Sequence, residues 1–203
     1  MKWSLLPTKR EKYRDSPHGP MIDRLYREAR ATPSDINEHL ELLARLSSLC
    51  ETVTEFGTRQ GTSTVALIFG RPKAVRSYDI MPLANERAIA RAAEEAGVSY
   101  TFEQADDLKI TIEPTDLLFI DTLHTYDQLR AELALHADKA RRYIAFHDTS
   151  TFGDVGGGEA GDPEAARQRG LWPAIAEFLR AHREWRLQFL HTHNNGLTVI
   201  ERV

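Results

Sequence analysis

Two short stretches in the second half of the chain hold most of the residues able to do chemistry. The run DLLFID ends at Asp121 and is followed by Thr122, Leu123 and His124, while the run YIAFHD ends at His147 and Asp148. Both runs are apolar and close on an acid, as buried strands do when they deliver a carboxylate to the edge of a parallel sheet. If the two strands are central neighbours, Asp121, His124, His147 and Asp148 surround one crevice. Carboxylate oxygens with water make a site for a hard cation such as magnesium. His124 is then the natural general base, because an unperturbed imidazole titrates close to neutral pH. A purely structural assignment competes with this one: strand-end acids cap the next helix, Asp121 being well placed for that, and a histidine can be a satisfied edge residue. Four such groups at two strand ends favour a site.

A second group of residues has the spacing of a ligand cradle. The strand TVTEF leads into Glu55-Phe56-Gly57-Thr58-Arg59-Gln60-Gly61-Thr62-Ser63. Two glycines in a strand-to-helix turn let a ligand approach the backbone, and the helix that follows offers free amide N–H groups. A tight turn with positive φ at Gly57 would explain the glycine equally well. Asp79, at the end of the next strand, lies about 20 residues beyond Gly57, where a nucleotide-binding unit places its ribose-binding acid. The glycines are spaced G-x-x-x-G, not G-x-G-x-x-G, so a pyrophosphate cradle is poorly supported. After the third strand, Asp106 or Asp107 either accepts a hydrogen bond from an adenine amino group or caps a helix.

Other residues draw blander assignments. His191 and His193 alternate in an edge strand, so they share one face and could chelate a metal, although a solvent-facing pair is the simpler reading. Trp172 and Trp185 suit core or lid packing. Cys50 sits in an apolar helical run and suits buried packing better than nucleophilic work.

These groups need a scaffold, and the patterning supplies one. Strands are expected at 52–56, 74–80, 98–104, 116–121 and 143–148, with helices at 63–70, 83–98, 126–140 and 171–182 between or after them. A closing hairpin, WRLQFLHTH and LTVIERV, turns through Asn194-Asn195-Gly196. Strand–helix alternation with apolar runs buried on both faces gives an α/β, doubly wound, mostly parallel sheet covered by helices. Upstream, Thr32 is expected to cap a helix with Pro33 at its first position and Ile36, Leu40, Leu43 and Leu46 along its inner face. Residues 1–33, polar, basic and broken by prolines, read as an arm or short helix laid over a domain spanning 34–203, and 149–170 reads as one long irregular loop of the kind used as a lid.

Composition excludes several classes. The chain has 203 residues, 41% hydrophobic and 28% charged, with a net charge of −4, which suits one globular domain without a nucleic-acid surface. No apolar stretch has the length of a signal-peptide core or a membrane span, and a single cysteine fits a reducing, cytoplasmic setting.

The motifs EFGTRQGTS, SYDI, DLLFIDTLHTYDQLRAEL, YIAFHDT and NNGLTVIER, in that order, resemble class I S-adenosylmethionine-dependent methyltransferases. More narrowly they resemble the group containing macrocin-type and rhamnosyl O-methyltransferases and cephalosporin hydroxylase-like proteins. The resemblance covers about residues 34–203. It implies a seven-stranded Rossmann-like sheet and an enzyme methylating a hydroxyl of a sugar, glycoside or other natural product. It further implies that Gly57 and Gly61, with Thr58 and Ser63 in the same turn, line the methionine portion of S-adenosylmethionine and that Glu55 supports its amino end. Asp79 takes the ribose hydroxyls and Asp106 lies by the adenine. Asp121 lines the cofactor and binds a divalent metal such as Mg2+, and His124 is the base. Metal-dependent relatives carry two adjacent acids after the fifth strand, and here that pair is His147-Asp148. Imidazole in place of a carboxylate favours manganese, iron or zinc, or else no tight metal is held. A homodimer through the N-terminal segment is also consistent. Two other functions stay open: a metal-dependent oxygenase or hydrolase on the same scaffold, and a non-catalytic nucleoside-binding protein.

Overall fold

The structure, a computed structural model, describes residues 19–157 and 167–203. The expectations that fall on residues 1–18 of the arm and 158–166 of the loop lie outside the described residues. Seven strands form one sheet: β1 (Thr52–Phe56), β2 (Ala74–Asp79), β3 (Ser99–Gln104), β4 (Thr115–Ile120), β5 (Ala140–His147), β6 (Trp185–His191) and β7 (Leu197–Arg202). Their order is β3-β2-β1-β4-β5-β7-β6. The first five run parallel, and β7 lies antiparallel between β5 and β6. Among the described residues six α-helices accompany them: α1 (Pro20–Ala31), α2 (Leu40–Ser48), α3 (Thr62–Phe69), α4 (Glu86–Glu95), α5 (Tyr126–His136) and α6 (Leu171–Ala181). No helix among the described residues is long and apolar enough to cross a membrane.

Side-chain alternation divides the core into two layers. Val53, Val75, Leu117, Phe119 and Ala145 point to the layer packed with α1 to α4. Phe56, Leu118, Ile120, Ile144 and Phe146 point to the layer packed with α5 and α6. All six residues of β4 are buried, as a central strand covered on both faces requires. The register pairs Phe56 with Ile120 and Ile120 with Phe146. The residues that follow these three therefore emerge side by side: Gly57, Asp121 and His147. The chain leaves β1 toward β2 on one side and reaches β4 on the other, so they surround the point where strand order reverses, the place where open α/β sheets bind ligands.

Three local expectations need correction. Thr32 does not start a helix; it ends α1, with its backbone N–H and its hydroxyl both donating to the Glu28 carbonyl. The residue before a proline is driven to extended backbone, and Thr32 has ψ 116°. The next helical turn is the 3₁₀ segment Asn37–His39 leading into α2, with Ser34 and Asn37 capping one another's neighbourhood. Residues 20–31 also contribute core, because Ile22 and Tyr26 are buried and Tyr26 stacks on Phe69 with ring centroids 3.8 Å apart. Met21, Ile22, Leu25, Tyr26 and Ala29 make an apolar stripe at helical spacing, hidden in the sequence by the charges between them. His193 lies in the β6–β7 turn and not in the strand, so it does not alternate with His191.

A polar strap joins the start of the fold to its last hairpin. His39 is buried, and its Nε2 donates to the carbonyls of His193 and Asn194, 3.0 Å from each. Asn194 accepts from the Glu38 amide at 2.9 Å and donates to the Ser34 carbonyl at 2.7 Å. Burial, helped by the nearby His147, lowers the His39 pKa from 6.5 to about 4. A neutral buried imidazole stabilises the fold above the unfolded value, and that stability is lost as pH falls from 6.5 toward 4. Urea unfolding at stepped pH should show this loss, on the order of 1–3 kcal/mol, and His39→Gln should flatten it across that window. A variant with the same acid slope as the natural chain would contradict the role of His39.

Candidate active site

The glycine turn after β1 is built around one close approach. Gly57 has φ +81°, and a Cβ there would lie 1.9 Å from the carbonyl oxygen of Asp121. No side chain fits, so the first strand of the site and the fourth are in backbone contact. Gly61, at φ +77°, would place a Cβ 2.4 Å from Ile89 Cδ1 of α4. Asp79 holds the turn from below. Its Oδ2 accepts from the amides of Thr58 (2.7 Å) and Arg59 (2.9 Å) and from the Thr58 hydroxyl (3.1 Å), while Oδ1 accepts only from the Met81 amide (2.8 Å). Burial opposes ionisation of Asp79, but these amide donors outweigh it and hold its carboxyl below the usual range. Oδ1 keeps a lone pair for a ligand hydroxyl.

Gly57, Thr58, Gln60 and Ser63 form one wall of a crevice, Ser34, Asp35 and Ile36 the other, and Asp121 borders it too. Arg59 Nη1 reaches Asp35 Oδ2 at 2.5 Å, joining the two walls. Glu55 does not face this space. It is fully buried and accepts from the hydroxyls of Ser63 (2.6 Å), Ser77 (2.6 Å) and Thr64 (2.7 Å). Burial pushes its pKa up to about 7 against the pull of those hydroxyls. Glu55 thus ties β1 to β2 and α3, and the Ser63 hydroxyl is spent on it. Asp106 takes the capping role, accepting from the Leu108 amide at 3.0 Å and pairing with Lys109 Nζ at 2.8 Å.

Beside the crevice lies a cluster of two carboxylates and two imidazoles. His124 Nε2 is 2.8 Å from Asp148 Oδ2 and 3.6 Å from Asp121 Oδ1. His147 Nδ1 is 3.4 Å from each of the same oxygens. Yet none of the four ring nitrogens, nor Asp148 Oδ1, makes a hydrogen bond of proper geometry, although all are buried. One donor atom each from Asp121, His124 and Asp148 lies within 4.8 Å of the others, a set able to hold a metal ion. His124, expected as a base, therefore also falls within a ligand set, while the expected ligand His147 faces both carboxylates. Burial alone would lower both histidines, but the carboxylates outweigh it and raise His124 to about 9 and His147 to about 10. The same pairs overcome burial to hold Asp121 and Asp148 below the usual carboxylate range. Asp121 is not needed as a cap, because Thr125 Oγ1 caps α5 by accepting from the Gln128 amide.

Several partners carried no readable signal. Phe152 stacks on His124, with centroids 4.7 Å apart and planes 2° from parallel. Gly157 and His124 exchange two backbone hydrogen bonds of 3.0 Å, so the loop folds back over the histidine. Behind Asp121, the Thr122 hydroxyl donates to the fully buried Glu132, which also accepts from Gln128 Nε2 at 2.9 Å. Burial and the neighbouring Asp107 carboxyl push Glu132 well above its usual pKa. An acid on the inner face of α5, one turn past Gln128, was the only hint of it.

No protein-family model and no curated protein matches the chain. Solved structures do. Cofactor-bound Rv0187 from MTB is 21% identical, with a TM-score of 0.60 over 93% of this chain and 90% of that one. An O-methyltransferase from Bacillus cereus, in complex with SAH, is 15% identical, with a TM-score of 0.59 over 92% of each chain. The N-methyltransferase NodS from Bradyrhizobium japonicum, with S-adenosyl-L-homocysteine, is 17% identical, with a TM-score of 0.58 over 90% of this chain and 98% of that one. These likenesses show the Rossmann-like methyltransferase fold.

Gly57→Ala tests the turn. Left-handed backbone costs a non-glycine residue about 1–2 kcal/mol, and the overlap with the Asp121 carbonyl adds to it. A thermal melt should show a clear drop in midpoint; an unchanged melt would contradict the close contact.

Proposed function

We propose that the protein is an S-adenosylmethionine-dependent O-methyltransferase acting on a hydroxyl of a small molecule such as a sugar, glycoside or other natural product. The observation that carries this reading is the double duty of Asp121. Its carbonyl abuts the glycine turn of the crevice, and its carboxylate faces both imidazoles, so the glycine-lined crevice and an acid–base cluster meet at one residue. The Bacillus cereus O-methyltransferase and NodS, both similar in fold and both solved with S-adenosylhomocysteine, support the donor. A hydroxyl acceptor is supported by the cluster, since an alcohol is a poor nucleophile until its proton is removed.

In this reading the Gly57–Gly61 turn receives the methionine portion, Asp79 Oδ1 a ribose hydroxyl, and Asp121 the reacting end. Alignment of the sulfonium methyl with the acceptor oxygen supplies much of the rate. Asp148 Oδ1 and an imidazole nitrogen, buried without hydrogen bonds, fit a divalent cation held by Asp121, Asp148 and that imidazole. Such a cation, when bound, supplies positive charge beside the developing alkoxide. His124 has its own requirement: facing two bare carboxylates it is protonated at neutral pH and cannot accept a proton. Once that negative charge is balanced, its Nε2 becomes a competent acceptor for the hydroxyl proton. Phe152 and the 149–157 segment cover the imidazole and limit water.

Calorimetry with S-adenosylhomocysteine should give saturable binding to the natural chain; no binding would overturn the reading. His124→Ala should retain that binding within about threefold while losing roughly 10²-fold or more in methyl transfer, measured with radiolabelled donor on a sugar or glycoside that the natural chain methylates. Equal transfer by the variant would contradict His124 as the base.

A further inference from the structure

Behind the crevice, the inner face of α5 carries an acid that no step of the reaction uses. Glu132 is 0% exposed, and its Oε1 accepts from the Thr122 hydroxyl and from Gln128 Nε2, the latter at 2.9 Å. Its Oε2 is buried and meets no donor, and the carboxyl against it belongs to Asp107. The same Gln128 nitrogen lies 3.3 Å from Asp107 Oδ1, so one amide serves both carboxyls. His136, one turn further along α5, donates through Nε2 to the Asp107 carbonyl at 2.8 Å. Two carboxyls in contact can hydrogen-bond only through a proton that one of them carries, and the more deeply buried group holds it more readily.

These contacts complete a circuit round the floor of the crevice. Asp79 fixes the Thr58 and Arg59 amides with its carboxylate, while its carbonyl accepts from the Ala105 amide at 2.9 Å. Two residues on, Asp107 meets Glu132, and Glu132 holds Thr122. The Asp121 carbonyl and the Thr122 amide nitrogen lie 1.9 Å and 3.4 Å from where a Cβ on Gly57 would stand, which returns the circuit to the glycine turn. The Asp107–Glu132 contact is the link between the segments that follow β3 and β4.

We propose that Glu132 is a positioning residue which, as a neutral acid, closes this circuit by donating to Asp107 and accepting from Thr122, and so sets the affinity for the donor nucleoside. A crevice whose bordering segments are locked together beforehand loses less freedom when a ligand arrives. The inference deepens the methyl-transfer reading and rests on it for the identity of the ligand.

Calorimetry with S-adenosylhomocysteine on the full chain and its variants tests this. Glu132→Gln reproduces both the donor and the acceptor of the neutral acid and should bind within about threefold of the natural chain. Glu132→Leu removes both and should bind roughly tenfold or more weakly, as should Thr122→Val, which cuts the adjacent link. The double variant should bind no more weakly than the poorer single one. Stoichiometry should stay near one; a lowered stoichiometry at unchanged affinity reports lost folded protein and overturns the positioning role. Unaltered binding by Glu132→Leu, additive losses in the double variant, or equal losses in the Gln and Leu variants also overturn it. If Glu132→Leu does not fold, Thr122→Val and Glu132→Gln decide. An infrared difference spectrum at neutral pH should show the carbonyl band of an un-ionised carboxyl group in the natural chain and not in Glu132→Gln; its absence from both removes the proton from Glu132. No binding by the natural chain overturns the methyl-transfer reading itself, whereas binding indifferent to these variants overturns only the inference.

Discussion

Gly57 and Asp121 touch where the sheet reverses its order, and most of the site follows from that contact. A hydrogen bond of 2.9 Å from the Asp121 amide to the Phe56 carbonyl extends the β1–β4 ladder by one residue, and the next step brings the Gly57 Cα against the Asp121 carbonyl. The chain can then turn only in the left-handed region, which opens the following amides toward Asp79. Asp79 in turn spends three of its four accepted bonds on Thr58 and Arg59, so the crevice wall is a pre-formed backbone surface. Glu55 braces the same turn from inside through three hydroxyls. The polar residues of this region thus divide into those that build the wall and those that face the space beyond it.

On the far side of Asp121 the governing effect is electrostatic. Two carboxylates within 3.6 Å of two imidazoles form a compact, partly buried assembly in which each charge depends on the others. Such an arrangement holds protons on both histidines, so neither imidazole of the bare cluster is free to accept another. The surrounding strap, formed by His39, Asn194 and the Ser34–His39 stretch, ties the crevice rim to the β6–β7 turn. That turn also accepts, through the Asn195 carbonyl, the amides of Ser150 and Thr151. Rim, hairpin turn and the start of the 149–157 segment therefore form one connected edge above the cluster.

Much of this was legible in the sequence, and the reasons differ by residue. The strands and their order of use were readable because buried parallel strands are continuous apolar runs, and Asp121, His124, His147 and Asp148 stood at their ends. Gly57 and Asp79 were readable from spacing. Sequence gives no sign that Glu55 and Ser63, an acid and a hydroxyl eight residues apart, bond one another inside the fold. Asp106 had two readings, and the local one is seen in the structure because Leu108 presents its amide two residues away. The helix at 20–31 was obscured by its charged outer face, and Phe152 over His124 arises from a loop fold that has no periodicity to read.

The central claim is that the glycine crevice and the acid–base cluster serve one reaction, with a nucleoside in the first presenting its sulfur to the second. A crystal structure with S-adenosylhomocysteine tests this most directly. The account predicts the ligand in the crevice, a ribose hydroxyl on Asp79 Oδ1 and the thioether sulfur on the side of Asp121 that faces His124. A crevice left empty at saturating ligand, or a sulfur directed away from His124, would contradict it.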